Sequence, residues 1–78
     1  MSQKALLQSV IEYLIKQKSY GRKVVRRTSI YDVMEDRYGV KTIANGKALT
    51  RGLLSDAALA AGGVYFPAKN GNSKVIFS

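Results

Sequence analysis

A chain of 78 residues with one proline and 46% hydrophobic residues has the composition of one folded domain, near the lower size limit for a single apolar core. It contains neither cysteine nor histidine, which excludes a disulfide framework, a thiolate metal site and the usual base and nitrogen ligand of catalysis. Thirteen Lys and Arg against five Asp and Glu leave a formal charge of +8, so the expected partner is a polyanion, nucleic acid above all.

The opening stretch MSQKALLQSVIEYLIKQK places Leu6, Leu7, Val10, Ile11, Leu14 and Ile15 at spacings of three and four. That period predicts an amphipathic core helix over residues 3–17, with Ser2 as its N-cap and Lys16 and Lys18 at the end the helix dipole favours for cations. The apolar positions are too interrupted for a signal peptide or a membrane span, so an intracellular, cytoplasmic protein without membrane contact is expected.

Gly21 then breaks the helix, and the β-branched pair Val24-Val25, set among Lys23, Arg26 and Arg27, predicts a short strand. Ser29 and Asp32 have capping-box spacing ahead of a second helix with Ile30, Val33, Met34 and Tyr38 on its apolar side, closed by Gly39. Asn45 is the expected cap of a third helix over residues 46–61, with Leu49, Leu53, Leu54, Ala57, Ala58 and Ala61 inward and Gly62-Gly63 as its stop. VKTIAN leaves a second start open, at Ile43 with Thr42 as cap. Gly52 is expected to allow a close helix contact. Lys47, Arg51 and Ser55 share a face with Thr50 beside them, which makes the N-terminal half of this helix basic and polar.

The last fifteen residues, VYFPAKNGNSKVIFS, predict two strands around an Asn70-Gly71 type I′ turn. A two-residue loop would set Phe66 opposite Val75, Val64 opposite Phe77 and Tyr65 opposite Ile76. Val64, Phe66, Val75 and Phe77 would then cover the helices as a lid, with Tyr65 and Ile76 outward and Pro67 facing Lys74. The hydroxyls of Tyr20, Tyr31, Tyr38 and Tyr65 are expected to be satisfied on buried rings.

Helix, strand, helix, turn, helix, hairpin is an element order that resembles winged helix-turn-helix domains. The resemblance implies an α+β fold of three helices, a short strand and a C-terminal hairpin wing, with the third helix entering the major groove of double-stranded DNA, the second bracing it and the wing beside the phosphates. Carried onto this chain, it makes Lys47, Thr50 and Arg51 the candidates for base contact, Arg51 being suited to bidentate contact with guanine. Arg22, Lys23, Arg26, Arg27, Lys41, Lys69 and Lys74 are the candidates for phosphate contact, and Arg26, Lys47, Arg51, Lys69 and Lys74 are expected on one surface. Such a protein would be a small regulator of transcription or replication with no cofactor or metal; a homodimer would have to use the first helix or a wing edge. The alternative is a small interaction protein of phage or plasmid type that inhibits a host protein from the same scaffold. An enzyme would have to work with carboxylates, Lys or Tyr. The carboxylates at 32, 35 and 36 have a simpler explanation as a solvated helix face.

Overall fold

The structure, a computed structural model, describes residues 3–39, 48–69 and 72–77. In chain order these form α1 (Gln3–Ser19), β1 (Val24–Arg26), α2 (Arg27–Tyr38), α3 (Arg51–Ala60), β2 (Gly63–Phe66) and β3 (Lys74–Phe77). The strands make one antiparallel sheet in the order β1-β3-β2, so the hairpin recruits the distant β1 through its second strand. The result is an α+β fold with the layout of a winged helix.

Helix α1 forms as its period requires. Leu6, Val10 and Leu14, four apart, are buried, with Leu7 and Ile11 half-buried beside them. Ile15, expected in the same stripe, is 49% exposed. Gly21, at φ 84°, ends the segment in a conformation other residues resist.

Helix α2 starts two residues before the expected cap. Ser29 lies inside its first turn, and the cap position is Arg26, the last residue of β1, which makes no side-chain bond to the helix. The sheet explains the difference: the Arg27 amide donates to the Ser73 carbonyl (2.9 Å), so one orphan donor of the helix start is satisfied by strand pairing. Ile30 and Met34 are buried, and the Tyr38 hydroxyl meets that of Ser9 across to α1.

Helix α3 starts later than the period suggests. Thr50 is its cap and accepts a hydrogen bond from the Leu53 amide (3.2 Å), so the helix begins at Arg51 rather than residue 46. Asn45, Thr42 and Ile43 lie outside the described residues. Leu49 is buried ahead of the helix, in a bend, and Leu53, Leu54, Ala57 and Ala58 form the inward face. Gly52 serves no close contact, because a Cβ there would meet nothing within 4 Å. The helix takes its main packing from α1 and β2, while α2 packs on α1 and β1. The brace behind α3 is therefore chiefly α1, not α2. One core, with each fully buried aliphatic side chain worth about 1.5–3 kcal/mol, joins these helices to Val25, Val75 and Phe77.

Ala61 and Gly62, the latter at φ 87°, turn the chain into β2. The hairpin register differs from expectation by one residue: Gly63 faces Phe77, Val64 faces Ile76, Tyr65 faces Val75 and Phe66 faces Lys74. The inner face is accordingly Gly63, Tyr65, Val75 and Phe77, and the lid positions assigned to Val64 and Phe66 are wrong; both are about half exposed, at 49% and 47%. The cause lies at the neck of the loop. Asn72 N–H donates to the Lys69 carbonyl (3.3 Å), yet two residues, Pro67 and Ala68, stand against the single Ser73. That extra residue is a bulge, and it moves every partner by one. Pro67 has no amide for a ladder. The buried Ser73 hydroxyl takes over the pairing, accepting from the Ala68 amide (2.9 Å) and donating to its carbonyl (3.1 Å). The turn residues Asn70 and Gly71 are outside the described residues, as is Ser2.

Candidate nucleic-acid interface

The face of the sheet turned away from the helices is ordered in cross-strand rows. Val24, Ile76 and Val64 are partners in one row, and Arg26, Lys74 and Phe66 in the next, since Lys74 on the central strand faces Arg26 on one side and Phe66 on the other. Arg26 and Lys74 are both exposed, so two cations are held side by side where like charges repel. A self-contained sheet gains nothing from that. An anion laid across the strands would convert the repulsion into attraction.

More cations border this row. Arg22 and Lys23 are exposed in the segment leading into β1, whose course is pinned by the Phe77 amide donating to the Lys23 carbonyl (2.9 Å). Lys69 is exposed at the base of the hairpin turn, beyond the Ser73 clamp. Arg27 is half-buried at the first position of α2. The sheet thus gathers Arg22, Lys23, Arg26, Lys69 and Lys74 on and around β1 and the hairpin.

The expected groove residues sit elsewhere. Arg51 is exposed at the first position of α3, in the helical layer against which the inner face of the sheet packs. The expected single surface holding Arg26, Arg51, Lys69 and Lys74 is therefore divided between the outer side of the sheet and the start of α3. Thr50 is exposed but its oxygen is engaged as the helix cap. Lys47 and Lys41 lie outside the described residues. The exposed positions of α3 are Arg51, Gly52, Asp56, Leu59 and Ala60, one cation and one anion, so this helix carries no net basic face, whereas the sheet carries the paired cations Arg26 and Lys74. Asp56 and Gly52 line a groove with Gln3, Lys4 and Leu7 of α1, which brings the starts of α1 and α3 together.

Comparison with known proteins gives no match, either to a family model, to a curated sequence or to a solved structure. The assignment of a role therefore rests on the geometry alone.

A recess of about 280 Å³ lies beside the basic row, between α1, β1 and the first turn of α2. Tyr13, Gln17, Arg22, Arg26 and Ser29 line it, with Val24 and Val25. Burial raises the Tyr13 hydroxyl above its ordinary pKa, and the charges of Arg22 and Arg37 oppose that rise. Tyr13 and Gln17 carry no signal in the sequence, and Ser29 reads there only as a helix cap: Tyr13 and Gln17 sit four apart beside the apolar stripe of α1, and only the fold shows that β1 crosses in front of them. Phe66 was assigned inward, and the bulge turns it out. Of the four tyrosines expected to be buried, Tyr20 is 65% exposed, whereas Tyr31, Tyr38 and Tyr65 are half-buried. Among the described residues there is no cluster of three or more potential metal ligands and no helix long and apolar enough to cross a membrane.

Proposed function

We propose that the protein binds double-stranded DNA as a small cytoplasmic regulator of transcription or replication. In this reading the outer side of β1 and the hairpin lies on the phosphate backbone, and Arg51, which stands apart from that surface at the start of α3, has to reach the groove past the edge of the sheet. The observation that carries it is the exposed pairing of Arg26 with Lys74, flanked by Arg22, Lys23 and Lys69 on a chain of net charge +8. Phosphate contacts supply affinity and register, and base contacts supply preference, so the sheet cations act on every duplex alike while sequence preference falls to Arg51.

The test is fluorescence anisotropy with a labelled duplex across a range of salt. Four to six phosphate contacts give a slope of log Kobs against log salt of about −3.5 to −5.5. Arg51→Ala should cost about 1–3 kcal/mol on a selected site and far less on random DNA, whereas Lys74→Ala should weaken both equally. Absence of binding at low salt, or binding that ignores salt, would overturn the reading. A second reading, a module that binds and inhibits a host protein, draws on the apolar outer row, where Val24 and Val64 are 46% and 49% exposed. Such an interface would persist as salt rises.

A further inference from the structure

The recess at Tyr13 differs in kind from the flat basic row beside it. Its polar wall consists of Tyr13, Gln17, Arg22, Arg26 and Ser29, drawn from α1, the loop after it, β1 and α2. Each of these side chains offers at least one hydrogen-bond donor, two of them are guanidiniums, and no carboxylate is among the described residues that line the recess. The first turn of α2, which has no side-chain cap, opens on the same space through Arg26 and Ser29. The volume, about 280 Å³, lies just below the range of drug-sized ligand clefts, about 300–1,000 Å³, as suits a small group rather than a whole ligand.

We propose that this recess seats a phosphomonoester group. Donor-bearing side chains from α1, the loop after it, β1 and α2 line the recess, which suits a ligand with acceptor oxygens on several sides. A terminal phosphate presents three such oxygens and a charge of about −1.5 to −2, and guanidiniums match its geometry by paired hydrogen bonds. A backbone diester offers only two free oxygens and is tethered on both sides, so it fits the open row of Arg26 and Lys74 better than a recess. The same end group occurs on a 5′-phosphorylated strand and on small phosphorylated molecules. This inference does not depend on duplex binding by the sheet.

The test is amide and aromatic NMR of the full chain titrated with inorganic phosphate, against sodium chloride at matched ionic strength. Saturable shifts confined to Tyr13, Gln17 and the Arg26 to Ser29 region are expected. Arg22→Gln should weaken phosphate by about tenfold and Tyr13→Phe measurably, while Lys4→Gln, which removes the same charge from the far end of α1, should leave it unchanged. Each variant's spectrum reports whether the fold is kept. An identical response to chloride, or equal weakening by Lys4→Gln, would overturn the proposal. Displacement of phosphate by a 5′-phosphorylated oligonucleotide but not its 5′-hydroxyl form would identify a strand end as the source; displacement by glycerol 3-phosphate alone would identify a small molecule. If the protein fails to bind duplex yet saturates with phosphate, the DNA reading falls and this one stands.

Discussion

Arg26 and Lys74 face each other across β1 and β3, both exposed on the side of the sheet turned away from the core. Directly opposed like charges cost stability, and opposite charges at the same positions contribute about 0.2–1 kcal/mol. Lys74→Glu should therefore stabilise the fold slightly, by up to about 1 kcal/mol, while weakening duplex binding and lowering the salt slope by at least about 1. Thermal melting and anisotropy on the same samples separate the two effects. A variant that loses stability, or binds as tightly as wild type, would show that the pair is not placed for an anion.

Much of this fold is legible in the sequence because its signals are local. Leu6, Val10 and Leu14 announce α1, Ile30 and Met34 announce α2, and Asn70-Gly71 announces a hairpin. What was not legible depends on partners distant in the chain. Ser29 looks like a cap until Ser73 supplies the Arg27 amide with an acceptor from another strand. The hairpin faces were inverted for β2 because one residue, accommodated at Pro67 and Ala68, reverses which side chains point inward, and alternation alone cannot reveal it. Net charge sets only the expectation of a polyanionic partner. It did not reveal that Arg26 and Lys74 are paired across the sheet, or that Tyr13 and Ser29, sixteen positions apart, border one recess.

Gly63 and Gly52 should respond oppositely to the same substitution. At Gly63 a Cβ would lie 2.8 Å from Cδ1 of the Phe77 ring and 2.9 Å from the Ile76 carbonyl oxygen, so something in the sheet must move. Gly63→Ala should cost about 1–3 kcal/mol, as overpacking does. At Gly52 the space is open and the backbone helical, and Gly52→Ala should stabilise by about 0.4–1 kcal/mol, mainly by restricting the unfolded chain. Chemical denaturation of the two variants checks the contrast. A neutral Gly63→Ala would mean that Phe77 does not lie over β2.

Tyr13 predicts an alkaline dependence of stability. Burial raises its pKa, with Arg22 and Arg37 acting in the opposite direction, so the folded chain holds the hydroxyl proton more tightly than the unfolded one. The stability tied to that proton is fully present below the unfolded value of about 10 and is lost as pH rises through the higher folded value. Tyr13→Phe has no proton to release. Measured as a difference between the two proteins, wild-type stability should fall relative to Tyr13→Phe as pH goes from about 9 to 11. A constant difference across that window would show that the hydroxyl is no less solvated in the fold than in the unfolded chain.

The Ser73 hydroxyl should matter more than its size suggests. It is buried, and it both accepts from and donates to the backbone of Ala68, at the one place where Pro67 prevents the strands from pairing. Ser73→Ala leaves an amide and a carbonyl without partners at the neck of the wing. The expected cost is about 1–2 kcal/mol, the upper part of the range applying if water cannot reach both groups. Its effect should be local as well as global: the amides of Ala68 and Asn72 should exchange faster, while those of Val75 and Phe77, held in the ladder to β1 and β2, keep their relative protection. Hydrogen exchange read by NMR, alongside denaturation, gives both numbers. If Ser73→Ala melts like wild type and the Ala68 amide keeps its protection, the bulge is held by the turn alone, and the shifted register must be attributed to the strand contacts of Tyr65 with Val75 instead.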